Sequence, residues 1–348
     1  MRMLSWLFVT VVALSVSGAE LRFNFGDAAG LTPTNFTASL FGTGQAPVWQ
    51  TVLDEVPSLL APLTDKAPNV TKRSVLAQTG TDATDEHFPL FIYNGEVFRD
   101  FKFTTRFKIV SGVTEQMAGL AFRFQNASNF YVVRVSALGR NIRFYKVVNG
   151  QRSDPLGPNI DITTGTWHSL AVQCEGNQIN LWLDDRLVMP TLGDNSFAEG
   201  KVGFWTKSDS VSYFADAGIT YTPRIPAAQT LVNAVLEKQP RIVDLRIYTL
   251  TTNNATKVIA SKELAHVGLP GTEVELAAIE SGTISYGKDN GEVLVTLPLH
   301  DRNGDDIAAV RFRLKSFFGE TQDNAVNRAR LLLKVMQSLC SSAEDLRK

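Results

Sequence analysis

At 348 residues, 44% hydrophobic and 20% charged, the chain has the composition of a packed globular protein with length enough for two domains, which excludes disorder as its ground state. Its 34 Lys and Arg against 35 Asp and Glu leave a formal net charge of -1, so no bulk field favours nucleic acid or an anionic membrane and any ligand must be held locally. Cys174 and Cys340 are its 2 cysteines; a disulfide framework is excluded, and two separate thiols are expected.

Met1-Arg2-Met3, the apolar run of residues 4–16 and the small residues Ser17-Gly18-Ala19 have the pattern of a secretory signal peptide at 1–19, with Glu20 as mature N-terminus. The run is shorter than the roughly 20 residues a bilayer span requires. The expectation is an exported protein, periplasmic or extracellular, that does not span the membrane. Residues 21–25 read as the first strand, pairing near the last strand of a sandwich. Residues 46–85 contain Pro47, Pro57, Pro62 and Pro68 and read as a long irregular excursion.

From 101 to 211, short alternating segments follow one another between turn residues, the signature of an all-β sandwich. Phe101, Phe103, Phe107 and Ile109 share one phase, against Lys102, Thr104, Arg106 and Lys108. The period recurs in Leu120, Phe122 and Phe124, in Tyr131, Val133 and Val135, and in Ile142 and Phe144; these sets should face the core. Gly165-Thr166-Trp167-His168 opens a hairpin in which Leu170, Val172 and Cys174 alternate. Glu175-Gly176-Asn177 turns, and Ile179, Leu181 and Leu183 alternate back before Asp184-Asp185.

Thr222-Pro223-Arg224-Ile225-Pro226 ends this pattern, and 223–229 is expected to be a linker. Beyond it come a helix at 227–238, strands at 242–250, 258–261 and 284–286, and a helix at 273–280. Segments 293–299 and 307–314 form a hairpin about Asn303-Gly304. A last helix carries Leu332, Val335, Met336 and Leu339 on one face. Together these make an α+β domain over 230–348.

Glycosidase chemistry on a sandwich needs two carboxylates delivered to one cleft. No Glu-x-Asp-x-Glu run is present, Asp184 and Asp185 are adjacent and so point to opposite faces, and Glu115 and Asp216 are isolated. His168 lies about 20 Å along an extended strand from Cys174, too far to share an ion. Its expected role is a backbone hydrogen bond beside a rim-packed Trp167. His87, His266 and His300 show no zinc spacing. Asp301-Arg302-Asn303-Gly304 places its glycine too early for a calcium loop, with Phe312 where the bidentate Glu belongs, so it reads as a hairpin turn. No catalytic residue, metal or cofactor is expected.

The solvent phase of the sandwich carries the candidate binding face. Arg123, Arg134, Arg143 and Tyr145 fall opposite the core residues of successive strands, with Asn141 beside them and Trp182 and Trp205 also in the outward phase. Flat rings with fork-shaped donors are what a sugar ring or a carboxylate requires. The plain alternative is a solvated β-surface. In the second domain Tyr248, Tyr286 and Arg311 are candidates to line a pocket, or else decorate the outer sheet face.

Phe88-Pro89-Leu90, Ala118-Gly119-Leu120-Ala121-Phe122-Arg123-Phe124, Asn129-Phe130-Tyr131-Val132-Val133-Arg134, Tyr145-Lys146-Val147, Gly165-Thr166-Trp167-His168 and Gly203-Phe204-Trp205-Thr206-Lys207 resemble exported bacterial laminin-G-like proteins. These are concanavalin-type jelly rolls related in fold to 3-keto-disaccharide hydrolase domains. The resemblance spans 20–222 and implies a module that binds glycans or proteins. Gln239-Pro240-Arg241-Ile242, Val258-Ile259-Ala260-Ser261, His266-Val267-Gly268 and Leu297-Pro298-Leu299-His300 are similar to single Cache domains, the extracellular PAS-like sensors, which implies a pocket for a small organic molecule.

The expected fold is therefore an all-β jelly-roll sandwich followed by a smaller α+β, PAS/Cache-like domain. The expected function is non-enzymatic binding of carbohydrate or a small organic ligand through Arg123, Arg134, Asn141, Arg143, Tyr145 and Trp205. A glycoside or keto-sugar hydrolase and a structural module for protein partners are the alternatives.

Overall fold

The structure, a computed structural model, describes residues 18–26, 29–59, 69–340, 342 and 346. The apolar run read as a signal peptide lies outside the described residues. The chain divides into two compact units, Met1–Pro223 and Arg224–Lys348. Among the described residues no helix is long and apolar enough to cross a membrane.

The first unit begins with β1 (Ala19–Arg22), β2 (Phe36–Gly42), β3 (Trp49–Pro57), β4 (Val70–Gln78), β5 (His87–Tyr93) and β6 (Phe101–Ser111). It continues with β7 (Met117–Asn126), β8 (Asn129–Ser136), β9 (Asn141–Val148), β10 (Gln151–Arg152) and β11 (His168–Glu175). β12 (Gln178–Leu183), β13 (Arg186–Leu187), β14 (Leu192–Gly193), β15 (Lys201–Trp205) and β16 (Val211–Tyr221) complete it. The strands form two antiparallel sheets. The first is ordered β13-β12-β11-β6-β16-β4-β3, with β1 added on β16 and β14 on β12; the second is ordered β10-β9-β8-β7-β15-β5-β2.

Period-two burial makes this a sandwich. Phe101, Phe103, Thr105, Phe107 and Ile109 of β6 are buried, while Lys102, Thr104, Arg106 and Lys108 reach solvent to varying degree. The apolar ones join Leu170, Val172 and Ile219 of their own sheet and Phe91, Leu120, Phe122, Val133, Phe144 and Phe204 of the other in one apolar layer. Each such side chain contributes about 1.5–3 kcal/mol by leaving water. The β11–β12 hairpin forms in the expected register, Leu170 opposite Leu183 and Cys174 opposite Ile179. Cys174 and Cys340 are both buried and are not joined in a disulfide; desolvation pushes the Cys174 thiol up to about 12, which leaves it inert.

The proline-bearing stretch 46–85 is not an irregular excursion as far as it is described. β3 and β4 pair residue by residue from Trp49–Gln78 to Pro57–Val70. Pro47 precedes the strand and Pro57 is its last residue, positions that a sheet-edge strand tolerates because the missing N–H is not required by a neighbour.

The second unit contains α1 (Ala227–Lys238), β17 (Asp244–Leu250), β18 (Thr256–Ser261), α2 (Glu273–Ser281), β19 (Ser285–Asp289), β20 (Glu292–His300), β21 (Asp306–Lys315) and α3 (Gln322–Leu339). Its antiparallel sheet is ordered β18-β17-β21-β20-β19. α1 and α3 pack with Leu245, Ile247, Val295, Leu297, Val310 and Phe312 on one face. α2 covers Tyr248, Val258 and Ala309 on the other. The buried stripe of α3 differs from the expected one: Ala325, Val326, Ala329, Leu333 and Met336 are buried, whereas Leu339 is 54% exposed. Leu332 and Val335 are half-buried against the same core, so the buried face is centred one position away from the expected row.

Candidate functional site

Arg123 is not on the solvent face. β7 carries a β-bulge between Phe122 and Asn126, and Arg123 adopts φ 47 there. The bulge shifts the alternation by one residue, so Phe124 moves to the outer side with Phe130, and Arg123 is wholly buried. Its guanidinium donates to the carbonyls of Phe197 (2.7 Å), Arg99 (3.4 Å) and Gly176, tying three loops together. Gly200 makes room for the bulge, because a Cβ there would lie 2.3 Å from the carbonyl carbon of Arg123.

Arg143 stays on the outer side but is engaged locally. It donates to the carbonyls of Gly157 (2.7 Å) and Pro158 (2.6 Å) and to Asn159 Oδ1 (2.7 Å), which pins the loop after β10. Arg134, Asn141, Tyr145 and Trp205 remain together. Strand register sets Arg143, Arg134, Gly119, Trp205 and Leu90 side by side across β9, β8, β7, β15 and β5. Tyr145, Val132, Ala121, Gly203 and Ile92 form the adjacent row. Gly119 is required by close packing: a Cβ there would sit 2.6 Å from the carbonyl oxygen of Val133 and 2.9 Å from Cβ of Arg134.

Two of these residues are deeper than the alternation suggests. Trp205 is 1% and Tyr145 3% exposed, part of an apolar cluster with Phe88, Leu90, Phe130 and Val132 on the outer side of the second sheet. The Trp205 ring lies 5.9 Å from that of Phe88 and 6.2 Å from that of Tyr145. Burial raises the Tyr145 phenol well above its ordinary range. Trp205 Nε1 is buried with no acceptor among the described residues.

Long polar side chains stand over this aromatic floor. The Arg152 guanidinium lies 5.3 Å from the Phe88 ring centre and 5.7 Å from that of Tyr145, and the Lys207 ammonium 5.9 Å from Phe88. Lys207 pairs with Asp85 (2.6 Å) and Glu115 (2.8 Å), and Arg152 with Glu86 (3.5 Å). Arg134 donates to Asn141 Oδ1 and has no carboxylate partner among the described residues. Burial holds its pKa below the ordinary guanidinium value, against the opposing pull of Tyr145 and Glu115. Three cations thus alternate with three carboxylates over a hydrophobic base. Glu115 looked isolated in sequence, and Asp85, Glu86, Phe88, Arg152 and Lys207 were missed. The available signal was β5, whose near-continuous apolar run His87–Tyr93 marks a strand buried on both faces.

The loops at the edge are braced by carboxylates. Asp82 accepts from the N–H of Gln45 (2.5 Å) and from the hydroxyl (2.7 Å) and N–H (2.9 Å) of Thr84, and these bonds, the Gln45 one largest, pull it down to about 2. Asp209 accepts from the N–H groups of Val113 (2.7 Å), Thr114 (3.0 Å) and Glu115 (2.9 Å). Its burial acts upward, but the three donors outweigh it and the net shift is down. A depressed folded-state pKa contributes stability above the ordinary carboxylate value and loses it as pH falls. The urea midpoint is therefore expected to fall between about pH 4 and pH 2, with a smaller fall in Asp209→Asn; a midpoint independent of pH over that interval would contradict this bracing.

The remaining sequence candidates do not form a site. His168 Nδ1 is 2.8 Å from Asp184 Oδ2 and its Nε2 is 2.9 Å from Thr163 Oγ1, while Trp167 Nε1 donates to the carbonyl of Glu55 at 2.9 Å. Tyr248, Tyr286 and Arg311 do not converge on a pocket. Tyr248 is buried beneath α2, with Arg311 5.4 Å over its ring and paired to the buried Glu275, whereas Tyr286 packs against the α1 and α3 side. A cavity of about 780 Å³ in this unit lies elsewhere, beside Thr249, Leu250, Val258, Ile259 and Val267.

No family model matches the chain. A levanase of Bacillus subtilis (strain 168) is 30% identical over 114 residues, 32% of this chain and 17% of the levanase, so the match spans less than a fifth of that protein. Among solved structures, the carbohydrate binding module CBM66 from Bacillus subtilis aligns with 49% of this chain and 94% of its own at 20% identity and TM-score 0.38. A Bacillus subtilis protein with a galectin-like fold aligns with 51% of this chain and 90% of its own at 11% identity and TM-score 0.34.

Proposed function

We propose that this is an exported binding protein that holds a neutral carbohydrate on the outer side of the second sheet of its first unit. The observation that carries the reading is the alternation of Arg134, Arg152 and Lys207 with Asp85, Glu86 and Glu115 over the Phe88–Trp205–Tyr145 floor. A sugar hydroxyl both donates and accepts, so it is matched by donors and acceptors in close alternation. The buried rings of Phe88, Trp205 and Tyr145 support these charged groups from beneath. The partial sequence match to a levanase supports a sugar polymer as the ligand. Export rests on the N-terminal apolar run of the sequence.

Affinity electrophoresis in gels containing levan, alongside a glycan array, tests this. Wild-type protein is expected to be retarded by at least one neutral glycan. Arg134→Ala and Glu115→Ala should each weaken binding about 10- to 100-fold, the equivalent of one charged hydrogen bond of about 1.5–3 kcal/mol. Their thermal midpoints should stay near that of the wild type. Absence of any glycan ligand, or unchanged affinity in both variants, would overturn the proposal.

A further inference from the structure

A second place in the first unit has the opposite chemistry. β4 pairs with β16 at Ser212–Phe214 and β1 pairs with it at Gly218–Tyr221. Between them β16 bulges, with a register shift between Ala215 and Gly218 and Asp216 at φ 50. The sheet opens there into a notch of about 530 Å³, lined by Arg22, Asn24, Lys72, Arg73 and Asp216 among others.

The side-chain oxygens of Asp216 and Asn24 in this notch are already engaged. Asp216 binds Arg73 Nη2 through both oxygens at 2.6 Å and Arg106 Nε at 2.6 Å, and its side chain is only 13% exposed. That leaves a positive charge over one carboxylate. Asn24 Oδ1 accepts from the N–H of Gly26 at 3.0 Å, so its amide NH₂ is the part left to face a ligand. The donors are not used up. Arg73 commits one terminal nitrogen and leaves Nε and the other without a partner among the described residues. Arg22 uses Nε on Glu20. Lys72 stands opposite Glu55 in the strand register with no ion pair between those two described residues.

We propose that this notch is a second binding site, for a small organic anion carrying a carboxylate, of the size of one acidic monosaccharide. A cavity with spare guanidinium, ammonium and amide donors, whose one carboxylate is already bound by two arginines, matches an oxyanion better than a neutral polyol. The site is independent of the neutral-sugar face, which lies on the other sheet.

Isothermal titration and ¹⁵N chemical shifts of the full chain with D-glucuronate, against D-glucose, test it. Glucuronate is expected to bind and to shift the amides of Ala215 and Asp216, glucose to leave them in place, and inorganic sulfate to compete. Raising the salt concentration should weaken binding, since the donors are partly exposed. The double variant Arg22→Ala, Lys72→Ala alters exposed side chains and should keep its thermal midpoint while weakening glucuronate about tenfold or more. Arg134→Gln should leave glucuronate binding intact, which separates this site from the sugar face. No glucuronate binding, equal response to glucose, or full affinity in the double variant would overturn the assignment.

Discussion

Arg123→Met is expected to lower the unfolding free energy of the first unit by about 3–5 kcal/mol. The wholly buried guanidinium serves carbonyls from three separate loops, at Phe197, Gly176 and Arg99. Hydrogen bonds from a charged donor contribute about 1.5–3 kcal/mol each, and removing the donor leaves three acceptors in need of other partners. Release of a desolvated charge offsets part of that loss. Methionine fills much of the volume, so the change reports the hydrogen bonds rather than a cavity. Arg123→Lys should recover little, because a single ammonium cannot match the fork that reaches acceptors 53 and 74 residues away in sequence. Urea unfolding followed by tryptophan fluorescence measures this; a loss below about 1 kcal/mol would show that the three carbonyls find other donors.

Glu275→Ala is expected to cost about 3–5 kcal/mol in the second unit, the usual penalty for breaking a buried pair from one side. Glu275 is fully buried at the start of α2. Its Oε2 accepts the N–H (2.8 Å) and hydroxyl (2.7 Å) of Thr272, and its Oε1 faces Arg311. One carboxylate therefore closes the helix N-terminus and anchors the helix to β21, beside Tyr248. Glu275→Gln should fall between wild type and alanine, because it keeps an acceptor for Thr272 but not the charge for Arg311. In a double-mutant cycle with Arg311→Ala, a coupling of about 2 kcal/mol is expected, and additive effects would show that the pair is not energetically linked.

Much of the architecture was written locally. Alternation along Phe101–Ile109 and along the hairpin from Leu170 to Leu183 follows from the two-residue period of a strand with one face in hydrocarbon, and the structure buries those residues. The Asn303-Gly304 hairpin and the helix at Ala227–Lys238 are equally local. Arg123 shows where that reasoning stops. A bulge shifts the register, the side chains after it change face, and nothing in Phe122-Arg123-Phe124 announces it; the room for it is left by Gly200, which is distant in sequence. Strand β5 shows a second limit. An unbroken apolar run states that both faces are covered but not by what, and so Phe88 could not be placed beside Trp205.

The sequence by itself determined the sandwich, the change in pattern near Pro223, and the outward phase of Arg134, Tyr145 and Trp205 on their strands; strand order brought them together with Asn141. Tertiary structure decided which arginines remain available: Arg123 turns inward, Arg143 is held by its own loop, and Arg134 is left. It alone brought Asp85, Glu115, Arg152 and Lys207 to one place, and it alone opened the notch at Asp216. Burial periodicity is a property of neighbours along the chain, whereas register, bulges and strand order are set by pairings between segments up to about two hundred residues apart, as between β1 and β16, whose energies no local stretch contains.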